Sequence, residues 1–359
     1  MRKLFILLTI IVILPVFTLY VSAEESAEGY ISDFENLLPD ELSGVTEDTD
    51  RLTEGLGIES LLSDIATALS GERSAIVGFF LSLIGMTVLL ALPLPFGERI
   101  SSAVTTGVGV IVSVMIFTSL SGLFIEVSET LLRLSEFFTS LIPIAVGVTS
   151  LGGGVATAGV QAAGMYTTVS LVGRAASGLL LPIAGFGFSM SLLSAFGNDG
   201  ISSLTKGLKS LFMWLIGILT ALIGGTLSLQ TLISTAQDSA AMRAARYMAS
   251  GLIPVVGSTV SGALSTLAAG ISYAKGVIGA GAILVIISIV LAPLVSLLAY
   301  RLALSLATMI AEMVGAGAAA RIFTAFRFSL DTLTAVYALS SIIYILEIIL
   351  FAKAGTALL

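Results

Sequence analysis

Long apolar runs dominate the chain from residue 74 onward, and short polar stretches separate them. The runs cover residues 74–95, 100–125, 141–163, 165–196, 208–235, 252–273, 276–311 and 329–353. Because a helix rises 1.5 Å per residue, about 20 residues cross the hydrocarbon core of a bilayer, and most of these runs reach that length. We therefore predict an all-α polytopic integral membrane protein with about seven or eight membrane elements.

Two of the runs, 141–163 and 252–273, are rich in Gly, Ala, Ser and Thr, whereas the others are rich in Leu, Ile and Val. Glycine costs a helix about 1 kcal/mol relative to alanine, but small residues let helices approach closely in lipid. We expect both elements to be buried among helices, or to be broken or re-entrant. The long run 276–311 contains Pro293, which predicts a kink or a break into an interfacial piece.

An internal repeat of about 111 residues is suggested by two matches. The tripeptide Leu-Ile-Pro at 141–143 recurs at 252–254, and Pro182 matches Pro293. The units would cover about 100–207 and 208–325, followed by a terminal helix over 329–353. Polar stretches at 126–138 and 237–250 precede the matched tripeptides and are predicted to be interfacial helices.

The relative direction of the two units stays open, and so does the repeat, because apolar segments also align by chance. Three crossings per unit would make the copies inverted, whereas re-entrant small-residue elements would make them parallel. Basic residues fall almost equally on both sides in either arrangement, so the positive-inside rule does not decide.

The N-terminal residues 1–23 have the pattern of a secretory signal peptide, with a basic start, an apolar centre and small residues at its end. An uncleaved anchor helix is the alternative.

Residues 24–73 then carry 14 acidic side chains against two arginines, for a net charge of −12. This acidic segment is predicted to be extracytoplasmic in either case, with an amphipathic helix over 58–69. It is expected to be a solvated spacer or a docking segment for a partner. The membrane domain is predicted over 74–359.

Composition narrows the chemistry further. Of 359 residues, 56% are hydrophobic and 11% are charged, and the chain contains no histidine and no cysteine. Disulfides, thiolate nucleophiles, imidazole bases and zinc sites of the usual kind are therefore excluded. No basic cluster indicates nucleic-acid binding. We predict no enzyme activity, no cofactor and no metal site.

A few charged residues fall within or beside the apolar runs, namely Arg174, Glu312, Asp331 and Glu347. A charge at the bilayer centre costs at least about 2.5 kcal/mol, so each needs water, a partner or a place near the headgroups. Glu347 is either a path-lining or proton-linked carboxylate, or a group bonded to a neighbouring helix. The candidate path or helix-packing residues are Pro143, Gly152, Gly153, Gly154, Arg174, Pro182, Pro254, Pro293 and Glu347.

The stretch 228–298 resembles the stage III sporulation protein AE family, and the order of the other segments is similar to that family over nearly the whole chain. The residues that carry the resemblance are Arg246 and Tyr247, the run Leu-Ile-Pro-Val-Val-Gly at 252–257, Ser261, Ser265, and Ala-Lys-Gly-Val at 274–277 before the helix with Pro293.

This resemblance implies a role in endospore formation. It implies a multi-pass protein of the mother-cell membrane around the forespore, within a secretion-like complex that includes an ATPase, ring-forming subunits and a forespore membrane protein. Three hypotheses follow. The chain is a channel- or permease-like subunit of that complex, an autonomous secondary transporter of a small solute, or a non-conducting membrane scaffold.

Overall fold

The computed structural model describes residues 28–39, 58–93, 98–151, 155–193, 199–252 and 257–353. These residues are almost wholly helical and include no strand. The helices are α1 (28–35), α2 (Ile58–Ala91), α3 (Glu98–Leu151), α4 (Val155–Ala175), α5 (Leu181–Leu192), α6 (Asp199–Leu252), α7 (Gly257–Met313) and α8 (Gly317–Lys353). A π-helical turn, Ala176–Leu180, joins α4 to α5. The predicted all-α fold is confirmed.

Several predicted features lie outside the described residues. They are the signal peptide at 1–23, residues 24–27 and 40–57 of the acidic segment, and the candidate residues Gly152, Gly153, Gly154 and Pro254.

Six helical segments in the described part of the chain are long and apolar enough to cross a membrane: Ser63–Ala91, Ala103–Leu151, Thr157–Leu192, Ser210–Leu232, Ala269–Met313 and Gly317–Lys353. The eight apolar runs map onto six segments because some helices continue through the polar stretches between runs. The protein is therefore a multi-pass membrane protein.

The separate interfacial helix predicted over 126–138 is wrong, since these residues form the middle of the 54-residue helix α3. Arg133 and Glu129 form an exposed i,i+4 ion pair at 3.6 Å, a spacing that supports a helix rather than ending it. Likewise, 237–250 is continuous with the rest of α6.

Pro143 is exposed inside α3, which continues to Leu151. The predicted small-residue element 141–163 is thus divided between α3 and α4.

Helix α3 and the α4–α5 pair form a long antiparallel hairpin. Thr149 donates a hydrogen bond to Gln161 at 2.9 Å near the turn. Far from the turn, the rings of Phe117 and Phe188 stack with centroids 4.5 Å apart. In this hairpin α3 ends at Leu151 and α4 begins at Val155.

A second antiparallel hairpin joins α7 and α8. The amide of Gly315 bonds to the carbonyl of Glu312, and that of Ala316 to the carbonyl of Ala311, which is the Schellman pattern of a helix end. Gly315 has φ +78°, a conformation that glycine adopts without steric cost. Arg301 of α7 and Asp331 of α8 form an ion pair between the two helices.

Helix α8 lies at the centre of the bundle. Its Tyr344 packs against Phe138 of α3, and its Phe326 packs edge-on against Phe188 of α5. On the other side of α7, Tyr300 contacts Phe79 of α2, with ring centroids 5.1 Å apart. These contacts place α8 parallel to α3 and antiparallel to α4, α5 and α7.

The 111-residue repeat stays a prediction. Helices α3 and α6 both have 54 residues, and their first residues, Glu98 and Asp199, are 101 positions apart. The matched prolines are displaced by 111 positions. The helix starts and the prolines therefore differ in their displacement by ten residues.

Candidate functional site

Glu347 is the central residue of the candidate site. It lies on the inner face of α8 with 1% of its surface exposed. The hydroxyl of Thr168, on α4, donates a hydrogen bond to its Oε2 at 3.0 Å. Thr168 is itself fully buried. The structure thus places this carboxyl between helices, bonded to a threonine.

A second polar neighbour of Glu347 comes from α6. The side chain of Gln230 is a hydrogen-bonding neighbour of the carboxyl. Gln230 reaches this position across the surface of Gly164 on α4, where a Cβ would overlap its amide group. A glycine is therefore required at 164 for the observed contact.

Further buried or half-buried hydroxyls follow the interface between α3 and α8. Tyr344 is one turn before Glu347, and its hydroxyl is a hydrogen-bonding neighbour of Ser135. Two turns earlier, Tyr337 is a neighbour of Thr130 in the same way. Because α3 and α8 run parallel, these pairs form a regular row, which we call the polar row.

The polar row continues toward the turn of the α3–α4 hairpin. Thr149 and Gln161, which bond to each other, are 3% and 8% exposed. Polar side chains are unusual inside a membrane bundle, where they are costly unless they bond to each other. The row therefore gives the interior a strip of polar groups between α3, α4 and α8.

Helix α1 packs at this same end of the bundle. Phe34 is fully buried against Gly281 of α7, where a Cβ would lie 2.7 Å from its Cε1. Tyr30 contacts Gly147 of α3, two residues before Thr149. Part of the predicted extracytoplasmic segment is thus seated beside the end of the polar row.

The prolines do not line the polar row. Pro182 is exposed in the first turn of α5, directly after the π-helical turn. Pro293 is buried inside α7, and the break predicted there is wrong because the helix continues to Met313. Tyr337 donates a hydrogen bond to the carbonyl of Val290 at 3.1 Å, in the turn where proline removes a backbone donor.

The other predicted charges lie at the surface. Arg174 is exposed at the end of α4, and Glu312 is exposed beside the α7–α8 turn. Asp331 is occupied by its ion pair with Arg301. Of the charges singled out in the sequence, only Glu347 is buried in the described structure.

Sequence reasoning missed the residues around Glu347. Thr168 and Gln230 are 179 and 117 positions away from it, so no local spacing connects them. The usable signal was the glycine at 164, where the side chain of Gln230 occupies the space of a Cβ.

The chemistry of the site is limited to hydroxyls, amides and one carboxyl. No group of three or more acidic side chains that could hold a metal ion occurs in the part of the chain that the structure describes. Such an arrangement can bind polar solutes by hydrogen bonds, or exchange a proton.

Comparison with known proteins decides the family. The family model described as stage III sporulation protein AE matches residues 44–355. The chain belongs to the stage III sporulation protein AE family. A relative of that name from Bacillus subtilis (strain 168) is 19% identical over 250 residues, which are 68% of this chain and 63% of the relative. The match thus spans less than two thirds of that relative's length. No solved structure matches. This sporulation membrane protein family is the one that the sequence resemblance indicated.

Proposed function

We propose that this chain is a channel- or permease-like subunit of the complex that joins mother cell and forespore during endospore formation. The polar row centred on Glu347 carries the proposal. Buried carboxyl, hydroxyl and amide groups inside a membrane bundle are costly and commonly mark the route of a solute or ion. Membership of the sporulation family gives that route its biological setting.

The lengths of the helices favour a complex subunit over an autonomous transporter. The apolar segments Ala103–Leu151 and Ala269–Met313 have 49 and 45 residues. At 1.5 Å per residue they are about 70 Å long, whereas the bilayer core is about 30 Å thick. Even when tilted by about 40°, each segment extends more than about 50 Å along the membrane normal. Apolar surface beyond the bilayer needs protein cover.

That cover would come from the other subunits of the complex. We propose the ATPase, the ring-forming proteins and the forespore membrane protein as partners, with this chain in the mother-cell membrane and its N-terminal segment outside the cytoplasm. Contact with several partners agrees with large exposed apolar side chains on α2 and α6, such as Leu89 and Leu229.

The test replaces groups of the polar row in a strain that lacks the native gene. Thr168→Val removes the hydroxyl that bonds to Glu347, while Thr167→Val changes the adjacent exposed threonine, which bonds to the carbonyl of Ala163 in its own helix. Deletion is expected to arrest the forespore after engulfment. Thr167→Val should restore spores to the native number, whereas Thr168→Val and Glu347→Gln should give fewer heat-resistant spores.

Assembly is measured in the same strains, by the membrane level of the chain and by recovery of partner subunits with it. Fewer spores at normal assembly support a path. Normal sporulation of the assembled Thr168→Val and Glu347→Gln variants would instead indicate the non-conducting scaffold. Normal sporulation without the gene would refute any required role.

A further inference from the structure

Glu347 has no cationic partner among the described residues. Its hydrogen-bonding neighbours are Thr168 and Gln230. Lys353 follows it by six residues on α8, or about 9 Å along the axis. Lys275 lies one turn before Gly279 on α7, and Gly279 packs against Ile348 and Ala352, so Lys275 lies beyond Glu347 toward the end of α8.

Among the described residues, the other helices around α8 bring no charge to this carboxyl. Helix α3 contributes Phe138 and Ser135 at the level of Tyr344, and α4 contributes Thr168. An ionised carboxylate without a counter-charge is strongly disfavoured in an apolar interior, and such groups become neutral by taking up a proton. Hydroxyl and amide groups can form hydrogen bonds with the carboxyl in its protonated state and in its ionised state.

We infer that Glu347 is a proton-binding site, carrying an exchangeable proton inside the membrane bundle. Thr168 donates to Oε2, so Oε1 is the oxygen that carries the proton, and the amide oxygen of Gln230 is the acceptor available to it. On release, the proton goes to water and the carboxylate is left with its negative charge. Half a turn of the Gln230 amide then presents its N–H₂ group as a donor instead. This inference does not depend on the proposed path, since a scaffold could carry the same group.

The test uses dicyclohexylcarbodiimide, which reacts with protonated carboxyls in apolar surroundings. The acid adds to the carbodiimide and rearranges to a stable N-acylurea, so the peptide gains the whole mass of the reagent. The full-length protein in lipid vesicles is treated at a series of pH values and analysed by mass spectrometry. Exposed Glu129 and Glu312 are internal controls, and Glu347→Gln is the blank.

We expect label on the Glu347 peptide at neutral pH, where the control peptides stay unlabelled. Above the midpoint, labelling should fall about tenfold per pH unit, as for release of one proton. Infrared spectra supply a second measurement, because a protonated carboxyl has a C=O band that Glu347→Gln would remove. Absence of both the label and the band would overturn the inference. Suppression of the label when sodium replaces choline at constant pH would also overturn it, because the occupant would then be a metal cation.

Discussion

At the scale of single residues, the surroundings of Glu347 depend on a position that has no side chain. Gln230 reaches the carboxyl only because Gly164 leaves space for its amide. A substitution there acts on the site without removing any of its polar groups.

Gly164→Ala is therefore expected to displace Gln230 and to lower the thermal stability of the purified protein in detergent. Overpacking costs about 1–3 kcal/mol, against a gain of about 1 kcal/mol from the better helix former. Gly159→Ala is the matched control on the same helix, because nothing lies within 4 Å of its Cβ position, and it should be neutral or stabilising. Equal melting temperatures for the two variants would contradict the packing at Gly164.

The sequence was sufficient to single out Glu347 but not to find its partners. Its place inside an apolar run shows that it needs a partner or water, because an isolated charge in lipid is costly. The identity of that partner depends on the packing of α4 and α6 against α8. Apolar periodicity does not specify which helices become neighbours, so Thr168 looked like any other small polar residue.

At the scale of elements, helix continuity was the least predictable property. The charges at 126–136 suggested a change from membrane to interface, yet Glu129 and Arg133 pair along one exposed face and α3 continues. Pro143 costs a helix interior about 3 kcal/mol in isolation, and packing on the rest of α3 outweighs that cost.

The α7–α8 turn offers a direct test of one local conformation of the structure. Gly315→Ala places a Cβ in the left-handed region, which costs about 1–2 kcal/mol. We expect a lower melting temperature for this variant in detergent. Gly317→Ala, two residues later and without a positive φ, is the control and should be unchanged. A loss of stability confined to Gly317→Ala would show that the turn is formed differently.

Docking of α1 is tested by cross-linking, since the chain has no native cysteine to interfere. Phe34→Cys combined with Gly281→Cys should be joined by a short bifunctional thiol reagent, because the Phe34 ring lies against Gly281. The pair Phe34→Cys and Gly276→Cys is the control, as Gly276 is exposed with open space around it. The readout is mass spectrometry of the linked peptides. Equal linkage of both pairs would mean that α1 is not seated in this position.

At the scale of the whole molecule, the apolar surface is too tall for one bilayer. Leu89 lies toward the end of the bundle that contains the α7–α8 turn. Helix α2 ends at Ala91, seven residues before α3 begins at Glu98, a chain length that keeps the two ends close, and α3 runs parallel to α8, which begins at that turn. Leu229 lies toward the opposite end, next to Gln230 and Gly164. Both side chains are more than half exposed, at 51% and 60%. When the levels of the two side chains are projected onto the axis of α3, they are separated by about 45 Å along the bundle.

A hydrocarbon core of about 30 Å cannot cover both positions in an upright bundle. We therefore expect that a membrane-impermeant maleimide will label one of the single variants Leu89→Cys and Leu229→Cys when the chain is made alone, with both faces of the membrane made accessible. Glu129→Cys, in the exposed charged stretch of α3, reports reagent access. Production of the whole complex should protect the labelled position, because partner subunits would cover it. Protection of both leucine positions without partners would mean that the helices tilt far enough to fit the bilayer, and the argument for protein cover would then fail.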